Sequence, residues 1–393
     1  MDRVIYDFFC GNAKEIRILG AAIGFRIAIY LLSVCVMAIF GDYANEITFS
    51  DFLEAWKRWD SYHYINIAQN GYSGAIENSE HIFLVFYPLY PWLMKFLSLL
   101  IPDIRFCAIL ISTICYAIGC LFFYRITEDE FGEASAENAL LFISVFPFAF
   151  FFGSIATESL FFALSSCFFY YLKKHKWSKV AVFGMLACMT KTQGLLLTIP
   201  VLVELFCSER GLQILKQRNW KEFSKRIIYP GCIAATMLFG FLLYLFINYT
   251  VEGDPFRFMY YQKNHWGNSL CPVWKTIKYV KEYAVTGWYT STGMSMWVPE
   301  LILFLIYIMA IVYGICKKVR PMYMAYLIAF FTLTYSSTWL LSAGRYTLNA
   351  LPLFMLLGAF AAKHKKSKVP IAVLSGMAMM IYMIGYYQWK QIM

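Results

Sequence analysis

The chain has 393 residues, of which 60% are hydrophobic, 19% aromatic and only 15% charged. An average soluble domain has roughly 25% charged residues, so this composition excludes an ordinary soluble enzyme, a disordered chain and a secreted disulfide scaffold, and it is typical of a polytopic membrane protein. The net charge of +10 is expected of loops that face anionic lipid, and we predict no nucleic-acid partner.

Apolar stretches that approach the length of a membrane span follow one another along the whole chain. A straight helix needs about 20 apolar residues to cross the hydrocarbon core, and several of these stretches are shorter. The first stretch is long enough to span, so we expect no cleavable signal peptide there. The predicted spans are 18–40, 106–125, 138–153, 156–172, 179–191, 194–207, 227–247, 297–316, 322–341, 346–362 and 369–387.

The stretch 83–101 is ambiguous because it contains two prolines and Lys95. If it stays on one side and the N-terminus is cytoplasmic, most clusters of lysine and arginine fall inside, as the positive-inside rule requires. If it crossed, every later loop would change sides. We therefore predict a juxtamembrane or re-entrant helix here, and about eleven spans in one transmembrane domain, 1–393. This topology leaves two large extracytoplasmic segments, 41–105 and 248–296.

The first extracytoplasmic segment contains an acidic residue among aromatic ones, in the run Trp59-Asp60-Ser61-Tyr62-His63-Tyr64. An inverting glycosyl transfer needs a carboxylate near the acceptor hydroxyl, and aromatic neighbours that exclude water make it a better base. Aromatic faces also stack on sugar rings. Asp60 is therefore a candidate general base, with Trp59, His63 and Tyr64 as candidate binding residues. An ion pair between Asp60 and Arg58 is the alternative.

The run Phe86-Tyr87-Pro88-Leu89-Tyr90-Pro91 follows in the same segment. Its prolines interrupt a helix, and its tyrosines are typical of an aromatic anchor at the membrane surface.

Four ionisable residues occur inside apolar sequence or at its edge: Arg26, Glu158, Lys191 and Arg345. Charges at membrane depth are costly, so each is a functional candidate, and mutual pairing as structural support is the alternative. Arg345 has no acidic neighbour in sequence. Because its planar guanidinium suits a phosphate, we expect it to meet an anionic ligand.

The second extracytoplasmic segment contains Gly253-Asp254-Pro255, which is a turn signal. Arg257 follows and could meet a phosphate. The histidines and cysteines of the chain have no zinc-ligand spacing, and no phosphate-binding glycine loop is present. We therefore expect that no cofactor is required, while a divalent cation near Glu158 stays open.

Taken together, these motifs resemble the PIG-V family of glycolipid mannosyltransferases. The Trp59–Tyr64 and Phe86–Pro91 runs are the most specific matches. Supporting matches, in family order, are Thr157-Glu158-Ser159, Gly253-Asp254-Pro255 with Gln262 and Trp266, and Arg345-Tyr346. The chain departs from the family pattern at Lys191-Thr192-Gln193-Gly194, where the family has a basic-Ser-Asn-Gly run, and at Ala156, where it has tyrosine.

The resemblance implies an all-α GT-C glycosyltransferase fold and a donor that carries its sugar on a polyprenyl phosphate, typically dolichyl-phosphate mannose. Asp60 matches the acidic catalytic residue of this superfamily, and Glu158 is a second catalytic candidate. The other candidate substrate-binding residues are Tyr87, Lys191, Gln193, Arg257, Gln262, Trp266 and Arg345. Short loops indicate a bacterial relative in the cell membrane, or the endoplasmic reticulum membrane if the source is eukaryotic.

The sequence thus predicts a membrane mannosyltransferase that transfers sugar to a lipid-linked or glycan acceptor on the extracytoplasmic side, with inversion. Two alternatives are open. One is a transporter or flippase of a lipid-linked sugar, in which Arg26, Glu158 and Lys191 would line a pathway. The other is a GT-C enzyme that acts on protein.

Overall fold

The structure is a computed structural model, and it describes residues 13–40, 47–208, 211–388 and 392. Within these ranges the regular elements are helices, and the only β-structure consists of two isolated bridges, Glu77 with Glu80 and Leu270 with Ser337. The helices are α1 Ala13–Phe40, α2 Phe49–Ala55, α3 Asp60–Gly74, α4 Leu89–Ser98, α5 Ile104–Phe131, α6 Glu133–Ser144, α7 Glu158–Lys173, α8 Trp177–Cys188, α9 Thr192–Cys207, α10 Gly211–Lys216, α11 Trp220–Glu252, α12 Arg257–Asn264, α13 Val273–Thr286, α14 Gly293–Cys316, α15 Pro321–Thr334, α16 Ala343–Thr347, α17 Leu351–Lys363 and α18 Lys365–Tyr387.

Five of the described helices are long and apolar enough to cross a membrane: α1, α5, α11, α14 and α18. Four shorter apolar helices, α8, α9, α15 and α17, accompany them. The chain is therefore an all-helical, multi-pass integral membrane protein, as its composition predicted. The number of eleven spans stays a prediction.

Two predicted spans are wrong as continuous helices. In 138–153, α6 ends at Ser144, and a short 3₁₀ turn, Ala149–Gly153, follows, because Pro147 cannot continue the backbone hydrogen-bond ladder. In 322–341, α15 ends at Thr334. After the end of α15, the hydroxyl of Ser337 donates to Asn268 Oδ1 at 2.7 Å, which connects this part of the chain to segment 248–296.

The stretch 83–101 contains one regular α-helix, α4, of ten residues. At 1.5 Å per residue α4 is about 15 Å long, roughly half the thickness of the hydrocarbon core. It is too short to cross, which agrees with the predicted juxtamembrane helix. Phe96, Leu99 and Leu100 are 69%, 76% and 77% exposed at its C-terminal end, an apolar surface suited to lipid.

Helix α7 lies at the centre of the molecule, and nearly all its residues are buried. It packs closely against α5 because residue 119 of α5 is a glycine. A Cβ at this position would lie only 2.3 Å from the Phe162 ring of α7. Helix α17 approaches α6 in the same way at Gly358, where a Cβ would lie 2.3 Å from the Ser135 carbonyl oxygen. This packing places Glu158, the first residue of α7, in the interior.

Candidate active site

Four charged side chains from distant parts of the sequence meet in one cluster, Asp60–Glu158–Lys191–Arg345, which we call the charge cluster. Arg345 Nη1 lies 2.7 Å from Asp60 Oδ2, and Arg345 Nε donates to Glu158 Oε1 at 2.8 Å. Lys191 Nζ donates to the same Glu158 oxygen at 3.0 Å. Glu158 thus joins the two cations, and Arg345 joins the two carboxylates.

Burial differs sharply among the four side chains. Glu158 is fully buried, Arg345 is 6% exposed and Lys191 12% exposed, whereas Asp60 is 27% exposed. Burying a charge costs several kcal/mol, and two anions matched with two cations offset that cost. Asp60 is therefore the member that a ligand reaches most easily. Its Oδ1 has no hydrogen-bond or salt-bridge partner among the described residues.

The backbone before Asp60 is strained. Trp59 has φ 45°, in the left-handed region that favours glycine, and it immediately precedes the first residue of α3. Such conformations cost about 1–3 kcal/mol and persist where the surroundings enforce them. Here the Trp59 ring packs edge-on against Tyr386 at 5.1 Å, and Ser61 Oγ donates to the Ile155 carbonyl at 2.9 Å. Both contacts fix the direction in which Asp60 points.

Aromatic rings surround the first turns of α3. His63 lies 4.8 Å from Phe86 and 6.1 Å from Trp266, which brings segments 41–105 and 248–296 together. Tyr64 packs against Phe86 and Tyr90. Burial lowers the pKa of His63, which favours its neutral form, and burial together with the Asp60 charge raises the pKa of Tyr64.

Tyr87 and Tyr90 are 5% and 0% exposed, so the predicted surface anchor is wrong for this run. Tyr87 stacks on Tyr244 at 3.9 Å, and its hydroxyl lies 3.2 Å from Thr192 Oγ1, beside Lys191. The amide of Leu89 also donates to the Met189 carbonyl at 3.0 Å. These contacts attach the run to the segment between α8 and α9 and bury it.

The structure also shows which ion pairs Asp60 and Arg345 form. Among the described residues, Asp60 pairs with Arg345, and Arg58 donates to the backbone carbonyls of Glu54 and Lys57 at 2.9 and 3.1 Å. Arg345, which has no acidic neighbour in sequence, contacts two carboxylates, because the fold brings Asp60 and Glu158 to it.

Arg257 belongs to a different cluster from Asp60. Its Nε lies 3.6 Å from Glu252 Oε2, and Glu252 Oε1 accepts from Tyr261 at 2.9 Å and lies 2.7 Å from His81 Nδ1. The expected contact of Arg257 with a phosphate near Asp60 therefore has no support in this geometry.

Gln193 and Gln262 are half-buried, with no side-chain hydrogen bond to the charge cluster. The fold thus brings Trp59, His63, Tyr64 and Lys191 to the surroundings of Asp60, with Tyr87 near Lys191 and Trp266 near His63.

Glu300 is not among the residues predicted from the sequence, because it lies in the first turn of α14, where an acidic residue is ordinary. Its side chain is 2% exposed, and its Oε1 accepts from the Ala343 amide at 2.9 Å. Ala343 is the first residue of α16, the helix that carries Arg345. Glu300 therefore holds the backbone that positions Arg345. A single acidic residue at the start of an apolar helix was the one available signal.

Arg26 is fully buried in α1, away from any carboxylate among the described residues. Its Nη1 donates to the Ala149 carbonyl at 3.3 Å, and its guanidinium lies 4.3 Å from the centre of the Tyr116 ring. In the part of the chain that the structure describes, no three His, Cys, Asp or Glu side chains are grouped to hold a metal ion.

Comparison with known proteins gives one family-level match. Residues 87–239 match the family model of dolichyl-phosphate-mannose-protein mannosyltransferases. The matched range is less than half of the chain. It includes Tyr87, Glu158 and Lys191 and does not include Asp60 or Arg345. No curated protein matches the chain.

Among solved structures, the chain is similar to ArnT from Cupriavidus metallidurans, in a crystal structure bound to undecaprenyl phosphate and in one of the apo state. The identities are 14% and 15%, and the TM-score is 0.49 for both. The alignments cover 85% and 79% of this chain, but only 59% and 57% of the ArnT chains. This chain thus spans less than two thirds of the length of either ArnT chain.

Proposed function

We propose that the chain is a membrane glycosyltransferase of the GT-C type, which transfers a sugar from a polyprenyl-phosphate donor to an acceptor hydroxyl on the extracytoplasmic side. The observation that carries this proposal is the partly exposed Asp60 carboxylate, held by Arg345 in the charge cluster and surrounded by aromatic rings. The family-model match to mannosyltransferases over residues 87–239 supports it independently.

Asp60 acts as the general base in this proposal. Its Oδ1, which has no other partner among the described residues, takes the proton of the acceptor hydroxyl. The acceptor oxygen forms a bond to the anomeric carbon while the bond from that carbon to the phosphate oxygen breaks, so that the configuration inverts. The electron pair of the broken bond leaves with the polyprenyl phosphate.

The cations of the cluster stabilise the leaving phosphate. Lys191 is 12% exposed and Arg345 is 6% exposed, so both are largely removed from water, where a fixed positive charge acts most strongly on developing negative charge. Glu158 positions both cations through one carboxylate oxygen, and it does not need to contact the substrate.

The aromatic residues supply the sugar-binding surface. Trp59 and His63 flank Asp60 in sequence, and Trp266 reaches the same region from the second extracytoplasmic segment. We infer mannose as the sugar from the resemblance to the PIG-V family and from the matched mannosyltransferase model. The acceptor is a glycolipid or a glycan, and the membrane is that of a bacterial cell.

The test is direct. Purified protein is incubated with radiolabelled polyprenyl-phosphate mannose and a membrane lipid extract, and the labelled product is identified by chromatography and mass spectrometry. We expect a mannosylated product whose new linkage is inverted relative to the donor. Absence of transfer, together with transport of the intact donor across proteoliposomes, would instead favour a flippase.

A further inference from the structure

A polar cleft lies beside α3, the helix that begins with Asp60. Its volume is about 530 Å³, within the usual range of ligand sites. Its walls come from α3, from the segment after α2 and from the start of α5. The residues that matter here are Tyr62, Asn66, Gln69, Asn70, Lys57 and Arg105.

Helical geometry relates this cleft to Asp60. His63 and Tyr64 lie on the α3 face that packs against Phe86, whereas Asn66, Gln69 and Asn70 line the cleft. Asn66 is six residues after Asp60, which corresponds to about 9 Å along the helix axis. A single extended ligand can therefore occupy the cleft and present another part of itself near the N-terminal end of α3.

The charges of the cleft are balanced internally. Arg105 Nη2 lies 2.7 Å from Asp103 Oδ2, and its Nη1 lies 3.1 Å from Glu54 Oε2. Lys57 Nζ lies 3.0 Å from Glu54 Oε1. These paired charges are partly exposed, so water screens them, and the cleft attracts a phosphate or another anion less strongly than the buried Lys191 and Arg345 do.

The uncharged groups of the cleft favour hydroxyls. Asn70 Nδ2 donates to Asn66 Oδ1 at 2.9 Å, which leaves the Asn66 amino group and the Asn70 carbonyl oxygen available. Gln69 is exposed, and the Tyr62 side chain is 51% exposed. Amide donors and acceptors beside an open aromatic ring match the hydroxyls and the apolar face of a sugar.

The position of the cleft indicates that this sugar is attached to a lipid. The cleft opens at the start of α5, a helix long enough to span, where the chain enters the membrane. The exposed apolar residues Phe96, Leu99 and Leu100, at the end of α4 and just after it, lie a few positions before Pro102 and Asp103 of the cleft wall. Acyl chains on this surface would place their headgroup in the cleft.

We propose that this cleft binds the neutral sugar headgroup of a glycolipid, which serves as the acceptor. The acceptor role rests on the proposed function, whereas the binding itself does not require turnover. Binding is therefore tested directly, with monoglucosyl-diacylglycerol as the probe and with phosphatidylglycerol and diacylglycerol as comparisons. The readout is lipid retention by native mass spectrometry of the full-length protein released from a sugar-free detergent.

The test variant is Asn66→Ala/Asn70→Ala, in which alanine favours the helix and removes the hydrogen-bonding groups. The matched control is Asn264→Ala, which removes an exposed helical asparagine of the second extracytoplasmic segment. We expect the wild type to retain the glycolipid in preference to both other lipids. The test variant should bind the glycolipid about tenfold more weakly, because it loses one or two hydrogen bonds. Asn264→Ala should bind like the wild type.

Equal retention of phosphatidylglycerol, or unchanged glycolipid binding in the test variant, would overturn the proposal. Gln69→Ala provides a second test if the double variant loses thermal stability. Normal glycolipid binding without any sugar transfer would contradict the proposed function and leave the binding site standing. With an active enzyme, the double variant should raise the KM for the acceptor and leave the KM for the donor unchanged.

Discussion

One carboxylate oxygen of Glu158 accepts hydrogen bonds from both Lys191 and Arg345. Removing either cation therefore leaves the buried Glu158 charge with only one of its two partners. Breaking a buried ion pair from one side costs about 3–5 kcal/mol. At the level of single residues, the cluster is therefore as much a structural unit as a candidate catalytic one. The two roles separate only in experiments that measure stability and turnover together.

We predict that Arg345→Ala and Glu158→Gln each lower the thermal stability, and that their combined effect is at least 1 kcal/mol less than additive, because they remove the same contact. Arg345→Lys should keep the charge but lose the fork that contacts Asp60 and Glu158 together, so kcat/KM for the donor should fall. The measurements are unfolding curves in detergent and donor kinetics. Strictly additive losses of stability would contradict this account of Arg345.

His63 gives a prediction about pH. Burial lowers its pKa in the folded protein below the ordinary value near 6.5, so the unfolded chain binds more protons when the pH falls through this range. The stability that neutral His63 contributes is fully present above about pH 6.5 and is lost as the pH falls toward the folded pKa.

The melting temperature of the wild type should therefore fall more between pH 7 and pH 5 than that of His63→Gln, which cannot titrate. Melting curves of both proteins in the same detergent and buffers measure this difference. If both proteins respond equally to acid, the account of His63 is incorrect.

At the scale of elements, the candidate site is built where helices begin. Asp60 and Glu158 are the first residues of α3 and α7, Lys191 immediately precedes α9, and Arg345 lies in α16, a helix of five residues. A helix this short has little stability of its own. Its position depends on neighbours, and the buried Glu300 carboxylate of α14 is one of them.

We predict that Glu300→Ala leaves the Ala343 amide without its acceptor, lowers thermal stability and reduces turnover through misplacement of Arg345. Glu300→Gln retains a carbonyl oxygen for the same hydrogen bond, so it should restore most of both properties. The pair is compared by melting temperature and by kcat and KM for the donor. If Glu300→Gln is as impaired as Glu300→Ala, the carboxylate acts in some other way than by accepting from Ala343.

The elements also show what could be predicted from sequence. Glu158, Lys191 and Arg345 were recognisable as charges inside apolar sequence or at its edge, and Asp60 as an acidic residue among aromatic ones. The contacts among these four side chains, all within 3.0 Å, were not predictable. Arg345 is 285 positions from Asp60 and 187 from Glu158 in the sequence, and only the fold brings these residues and Lys191 together. Arg257, a sequence candidate for a phosphate contact, lies in another cluster, because composition contains no information about tertiary partners.

At the scale of the whole molecule, the apolar content correctly predicted a membrane protein. The predicted helices were too long where a proline or a polar run interrupts the apolar sequence. The orientation in the membrane rests on the distribution of lysine and arginine. It predicts that the charge cluster and the polar cleft both face the extracytoplasmic side, and that the loop around residue 217 is cytoplasmic.

Single cysteines at Ser79 and His265 should react with an impermeant thiol reagent applied to intact cells, and a cysteine at Gln217 should react only after the membrane is opened. All three positions are exposed, and labelling is measured relative to the parent chain because it has exposed native cysteines. Labelling of Gln217→Cys in intact cells would reverse the orientation and place the charge cluster on the cytoplasmic side.

The central claim is that Asp60 is the base of a sugar transfer, and the most direct test is the turnover of Asp60→Asn. Asparagine keeps the size of the side chain but cannot accept the proton, and general base catalysis typically supplies about 10²–10⁴-fold in rate. The matched control is Glu282→Gln, which neutralises an exposed carboxylate of α13, outside the charge cluster. We predict that Asp60→Asn inserts and folds but loses kcat by at least about 10²-fold, while Glu282→Gln stays near the wild type; turnover of Asp60→Asn within a few-fold of the wild type would contradict the account.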